Sequence, residues 1–184
     1  MPKQLVILPF LYLAFSFTAQ APLQEYKVST GSISFRSDAP LELIKAQSNE
    51  LKGLFVPEKK QFAFIVNIKS FKGFNSPLQQ EHFNENYLES NKFPIASFEG
   101  KIIEDIDFTK DGVYTVRSKG NLFIHGVVQE RIIKSELTIK NNRLSIKAAF
   151  TVLLADYNIP IPKVVNEKLA SEIKVDIKAD LGKK

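Results

Sequence analysis

The feature that most constrains this chain is a period-two alternation of apolar and polar residues along most of its length. Ile33 and Phe35 alternate with Ser32, Ser34 and Arg36. Phe62, Phe64, Val66 and Ile68 form one face of the next clear run, and Phe98, Gly100 and Ile102 a face of another. Tyr114, Val116, Ser118, Gly120, Leu122 and Ile124 make a long one. Ile133, Ser135, Leu137 and Ile139 alternate with Lys134, Glu136, Thr138 and Lys140. Two further runs are Leu144 to Leu154 on even positions and Ile173 to Ala179 on odd ones. Successive strand side chains point to opposite faces, so this pattern describes half-buried strands and not helices. Many strands that each bury one face need a sandwich or a closed barrel.

Turn chemistry separates the runs. Pro57 to Lys60, Asp111-Gly112, Gly126 to Gln129 and Asn141-Asn142 are expected hairpin connections, the last three stringing the later strands into an antiparallel meander. Two segments break the alternation. Ser76 to Ser90 is polar, with Phe83, Tyr87 and Leu88 at helical spacing, and Pro160 to Glu172 carries Ile161, Val164, Val165 and Leu169. Each predicts a short helix in a connection. With 184 residues, no repeat and no linker, the chain reads as one domain.

The first residues read differently. Lys3 precedes an apolar stretch from Leu5 to Phe17, and Ala19-Gln20-Ala21 fits a small-residue cleavage site. Residues 1–21 are therefore expected to be a signal peptide, with cleavage after Ala21 or Ala19, and residues 22–184 the barrel domain. An uncleaved anchor fits less well, because Pro9 interrupts a run already short for a span of about 20 residues. The chain has no Cys, which excludes a lipoprotein anchor, disulfides and Cys-based metal sites. The expected location is the periplasm or outside the cell.

Chemical motifs are few. No nucleophile elbow, phosphate loop or zinc-protease helix is present. Ser171 and Lys174 match S-x-x-K by two residues only. Asp107, Thr109, Asp111 and Gly112 resemble the start of a calcium loop, but its twelfth position is Ser118 where a bidentate Glu is needed. His82, beside Glu81 and Glu85, reads as a hydrogen-bonded loop anchor, and His125, before Gly126, as an exposed turn residue. No catalytic residue, metal ligand or cofactor is expected. The net charge of +5 is spread over many strands, so it argues against nucleic acid and permits at most a transient membrane-surface contact.

The inward faces leave two outcomes open. Bulky residues could fill the barrel, or the small residues Gly100, Ser118, Gly120 and Ala148 could leave a tube. In the second case the lining would be Phe35, Phe64, Val66, Phe98, Val116, Ser118, Gly120, Leu122, Ala148, Phe150 and Val175.

Three stretches carry a resemblance: residues 80–90 followed by Lys92-Phe93-Pro94 and Ala96-Ser97-Phe98, then residues 120–127, then residues 155–162. With these, residues 26–181 resemble the YceI-like family of exported lipid-binding proteins. They are most similar to the branch whose loop reads Gln-Glu-His-Phe-Asn-Glu-Asn-Tyr. Many other members have an Arg-Asp pair and then His-Leu there. The resemblance implies an all-β fold, an extended antiparallel lipocalin-like barrel of about eight strands. It also implies a polyisoprenoid or other long-chain lipid as ligand, with no catalytic machinery.

Three rival functions make distinct demands. An outer-membrane barrel needs apolar outer faces, yet Lys134, Glu136, Lys140, Lys174, Asp176 and Lys178 lie there in mid-strand. Each such Lys would cost about 2–4 kcal/mol near the midplane. A hydrolase or isomerase needs convergent polar groups inside, where only Tyr114, Ser118 and Ser135 fall. A solid-cored exported interaction or stress module needs a filled interior without lipid.

Overall fold

The computed structural model describes residues 23–184; the expected signal peptide lies outside them. Nine strands alternate through β1 (Tyr26–Asp38), β2 (Leu43–Ser48), β3 (Lys52–Val56), β4 (Gln61–Asn67), β5 (Ile95–Ile102), β6 (Gly112–Ile124), β7 (Val127–Lys140), β8 (Arg143–Leu153) and β9 (Glu172–Lys183). All pairings are antiparallel, and β9 returns to β1, closing the sheet. The staves of the barrel are β1, β3, β4, β5, β6, β7, β8 and β9. The ninth strand is an extension: β2 and β3 lie end to end along the same edge of β1. Ile33 to Asp38 pair with β2, and Tyr26 and Lys27 with β3. Closure removes the exposed edges that an open sheet of this length would present.

The alternation dictates which side faces in. On β7, Ile133, Leu137 and Ile139 are buried while Lys134, Glu136 and Lys140 are exposed. On β9, Val175 and Ala179 are buried while Lys174, Asp176 and Lys178 are exposed. A register shift between Val28 and Thr30 leaves Ser29 as an extra residue in β1. Such a bulge changes the phase of the alternation and lets both Tyr26 and Phe35 pack inward despite their odd spacing.

The two ends of the barrel differ. At one end lie both described chain termini, the β3–β4 turn and the β7–β8 turn; Lys184 N–H donates to the Glu25 carbonyl at 2.9 Å. Tyr26, Ile139, Leu144 and Leu181 fill this end, and all are buried. The long β5–β6 connection folds over it, with the Phe108 ring 5.0 Å from that of Phe55. At the other end are α1 (Pro77–His82), the π-type turn Phe83–Tyr87 that continues it, and the segment after β8. Ser76 caps α1 by accepting a hydrogen bond from the Gln79 N–H at 3.1 Å, and Pro77 occupies the first turn.

Three sequence expectations are corrected here. The expected helix in Pro160 to Glu172 is only a single 3₁₀ turn at Lys163–Val165. Pro160 and Pro162 lack donors, and the β-branched pair Val164-Val165 disfavours continuation. Asp111-Gly112 is not a hairpin turn, because Gly112 already starts β6 after a connection that begins at residue 103. The Asp111 carboxylate instead accepts from the Asn141 N–H of the neighbouring β7–β8 turn. The β6–β7 turn is His125-Gly126, one residue earlier than Gly126 to Gln129. Both residues have positive φ, 49° and 77°, as a two-residue hairpin requires. Asn141-Asn142 turns as expected, with φ of 51° and 57°.

Candidate functional site

A cavity runs through the barrel from the α1 end and stops short of the plugged end. It has two chambers. The outer one, about 450 Å³, lies beneath α1 and the π-type turn. The inner one, about 100 Å³, lies deeper between the strands. Ile33, Val66, Ala96, Leu122 and Phe150 line both, so they form the neck that joins them. The polar lining of the inner chamber is limited to Ser97, Ser118 and Ser135.

Phe64, Phe98, Val116, Ser118 and Ala148 line the inner chamber. Phe35 and Val175 line the outer one, and Val66, Leu122 and Phe150 lie at the neck. Gly120 does not reach the cavity wall. A Cβ placed on it would collide with the Glu99 carbonyl oxygen and lie 2.8 Å from the Glu99 carbonyl carbon and 3.0 Å from Gly100 Cα. Gly100 and Gly120 face each other across β5 and β6. What comes close to this glycine is therefore the neighbouring backbone and not a ligand.

Strand alternation missed much of the outer chamber, because its walls come from connections. Phe71, Phe74, Phe83, Ile159 and Leu169 all line it. The Phe35 and Phe83 rings stack with centroids 5.2 Å apart, and Phe74 lies 5.0 Å from Phe83. The helical spacing of Phe83, Tyr87 and Leu88 was the available signal, and all three line the chamber. Burial pushes the Tyr87 phenol above its ordinary pKa.

The hydrogen bonds that seat this cover come from amides, and His82 is not the anchor. Gln79 donates to the Glu42 carboxylate at 2.8 Å and Gln80 to the Phe71 carbonyl at 3.2 Å. Asn84 donates to the Gln80 carbonyl at 2.9 Å. His82 is exposed at the chamber rim.

His125 takes the role expected of His82. Only 9% of its side chain is exposed, so the expectation of an exposed turn residue fails. Its Nε2 lies 2.7 Å from the Glu89 carboxylate and its Nδ1 2.9 Å from the Tyr157 carbonyl. The Phe93 ring packs edge-on against it at 4.8 Å. Gly126 also meets Phe93, with ring carbon Cζ only 2.9 Å from where a Cβ would stand. Glu89, His125 and Tyr157 come from the three stretches that carry the family resemblance. Together they clamp the π-turn segment, the β6–β7 turn and the segment after β8. Tyr157 is fully buried, which pushes its phenol upward, while the Arg131 charge works in the opposite direction.

The motif candidates do not assemble into chemistry. Lys174 Nζ binds the Asp38 carboxylate at 2.9 Å, which holds that carboxyl below its ordinary range. Asp107 accepts from the Thr109 hydroxyl and N–H, the turn of a solvated loop. Among the described residues, no group of three or more His, Asp or Glu is placed to hold a metal ion.

The comparisons agree with this geometry. A polyisoprenoid binding domain from Saccharophagus degradans, implicated in plant cell wall breakdown, superposes with a TM-score of 0.72 at 13% identity, covering 89% of this chain and 100% of that one. Burkholderia cenocepacia BcnA gives 0.68 at 12% identity, covering 82% of this chain and 95% of that one. The Campylobacter jejuni YceI protein gives 0.54 at 16% identity, covering 71% and 77%. At these identities the likeness concerns the fold. No curated protein matches the sequence. The family model for the YceI-like domain matches residues 24–181, which spans every stave of the barrel, the cover and the clamp, and so this chain belongs to the YceI-like family.

Proposed function

We propose that this protein holds a polyisoprenoid or similarly long apolar lipid inside the barrel, for carriage, storage or sensing, and performs no covalent chemistry on it. The observation that carries this reading is the apolar, two-chambered cavity with one accessible end. A long apolar chain gains burial along its whole length there. The S. degradans domain, which shares the fold, is a polyisoprenoid binding domain. A hydrolase would need convergent acids or histidines at the inner chamber, and its polar lining is serine hydroxyl alone.

The reading includes export to the periplasm or beyond after removal of residues 1–21. The signal-like pattern supports it, and N-terminal sequencing of the exported protein tests it: the product should start at Gln20 or Pro22, and an intact Met1 refutes it. It also includes a transient contact with a membrane surface. Leu78 of the outer chamber stands exposed, as do Leu41 and Val164, next in sequence to its lining residues Glu42 and Val165, where an arriving lipid would leave the bilayer. Nucleic acid is not a partner in this reading, because basic residues on the outer face are interleaved with acids, as in Lys119–Glu130 and Lys147–Glu136. Native mass spectrometry of freshly purified protein, followed by lipid extraction, tests the central claim. A co-purified long-chain lipid is expected. A mass equal to the bare polypeptide, with no uptake of added polyprenol, favours the solid-cored interaction module.

A further inference from the structure

The inner chamber is a dead end, and its position relative to the mouth has a consequence for ligand choice. On one side the neck opens into the large outer chamber. On the other, Phe55, Phe62, Ile102 and Leu137 close it, all of them buried. Behind this floor stand Tyr26, Ile139, Leu144 and Leu181, with Phe108 laid over Phe55 from outside. A chain entering from the α1 end meets a wall before it reaches the far end of the barrel.

Resting on the lipid-carrier reading, we propose that the inner chamber is a chain-length ruler: it receives the hydrocarbon terminus, and the Phe62–Leu137 floor sets how many isoprene units the protein accepts. The chamber is lined by apolar side chains and three serine hydroxyls, which offer no countercharge to a charged head group, so burying such a head there would be costly. The terminus therefore enters first and the head stays at the outer chamber, near Lys168. Two residues along a strand advance about 6.7 Å. With barrel strands tilted by about 40°, each layer of inward side chains spans about 5 Å of the axis. This is close to the length of one isoprene unit, so raising or lowering the floor by one layer changes capacity by about one unit. A shorter chain leaves the chamber unfilled and forgoes contacts. A longer one pushes isoprene units out of the mouth into water, which counts against binding.

Two side chains control the depth. Ala148 lines the inner chamber where β8 pairs with Ser135 of β7, and a larger residue there fills it. Leu137 lies one layer deeper, opposite Ile146, and trimming it lowers the floor. The experiment presents delipidated protein with detergent micelles that hold an equimolar ladder of all-trans polyprenols from farnesol to solanesol. Native mass spectrometry then reads the bound lengths. The unmodified protein should select a narrow band of neighbouring lengths. Ala148→Leu should move the band about one unit shorter, and Leu137→Ala about one unit longer, with near-ultraviolet circular dichroism confirming that each variant is folded. A folded variant with an unchanged band overturns the ruler. A flat distribution in the unmodified protein overturns it without any variant and leaves the carrier reading intact. Failure to take up any polyprenol removes both.

Discussion

Substituting Gly120 by Ala should cost far more than a methyl group on a strand normally does. A Cβ at this position stands 2.8 Å from the Glu99 carbonyl carbon, where ordinary contact begins at 3.4 Å, and it collides with the carbonyl oxygen. The atoms in the way are backbone, so no rotamer change relieves them. Nor can the strands part freely, since Gly100 is paired to Phe62 on its other side and Gly120 to Arg131. Overpacking typically costs about 1–3 kcal/mol, and a backbone clash between two locked ladders belongs at the top of that range. Restricting the unfolded chain returns about 0.4–1 kcal/mol. The net loss is then about 2–2.6 kcal/mol, or about 4–10 °C in Tm for a domain of this size. Gly182→Ala is the control, because nothing lies within 4 Å of its added Cβ; its Tm should hold or rise slightly. Thermal unfolding of the two delipidated variants beside the unmodified protein decides the matter. If Gly120→Ala melts with the unmodified protein and Gly120→Leu still folds but loses polyprenol uptake, the glycine faces ligand after all and the backbone argument is wrong.

Further outcomes are expected at four positions. His125→Ala removes the partner of both Glu89 and the Tyr157 carbonyl and should lower stability by about 1–3 kcal/mol in chemical denaturation. His82→Ala, at an exposed rim position, should stay within about 0.5 kcal/mol and retain lipid uptake; a reversed order would return the anchor role to His82. Arg131→Ala should raise hydrogen exchange at the outer parts of β7 and β8, since its guanidinium donates to the Thr151 carbonyl at 2.9 Å; unchanged exchange there would show the contact to be dispensable. Asp180 accepts from the hydroxyls of Ser145 at 2.6 Å and Thr30 at 3.0 Å, which hold its pKa below the ordinary carboxylate value. A depressed folded-state pKa gives stability that is present above the ordinary carboxylate pKa and lost as pH falls through the folded-state value. Asp180→Ala should therefore be less stable than the unmodified protein near neutrality, with the difference shrinking in acid; a constant difference down to strongly acid pH would exclude the carboxylate as its origin.

The barrel was legible because alternation is a direct image of strand geometry. Each inward run, from Phe62–Val66 to Ile173–Ala179, had a charged or polar partner run facing water, and closure left only one consistent interior. The cover over the outer chamber was legible only where helical spacing showed, at Phe83, Tyr87 and Leu88. Phe71, Phe74 and Ile159 sit in irregular connections, and no local period marks them. Gly120 was misread for a related reason. Alternation states which face a residue belongs to, but not how close the next strand comes, and at Gly100 and Gly120 that approach is what the missing side chains serve. His125 was misread because its partners, Glu89 and Tyr157, are 36 and 32 residues away.

The two chambers meet near the point where one ladder stops. The β6–β7 and β8–β9 ladders run nearly the full length of their strands. The β7–β8 ladder instead ends at Ser135 opposite Ala148, although both strands continue toward the mouth. Beyond that pair the two strands have carbonyls with no strand partner, and buried backbone groups need one. Arg131 and Gln129 continue the inward register of β7: Arg131 donates to the Thr151 carbonyl of β8, and Gln129 to the Asp156 carbonyl of the segment after β8, each at 2.9 Å. The segment after β8 is thereby held against β7, and its Leu154 and Ile159 line the outer chamber, while Ser135 and Ala148 line the inner one. A pair of polar residues on the inward register of β7 thus ties the unpaired end of this seam to the wall of the outer chamber.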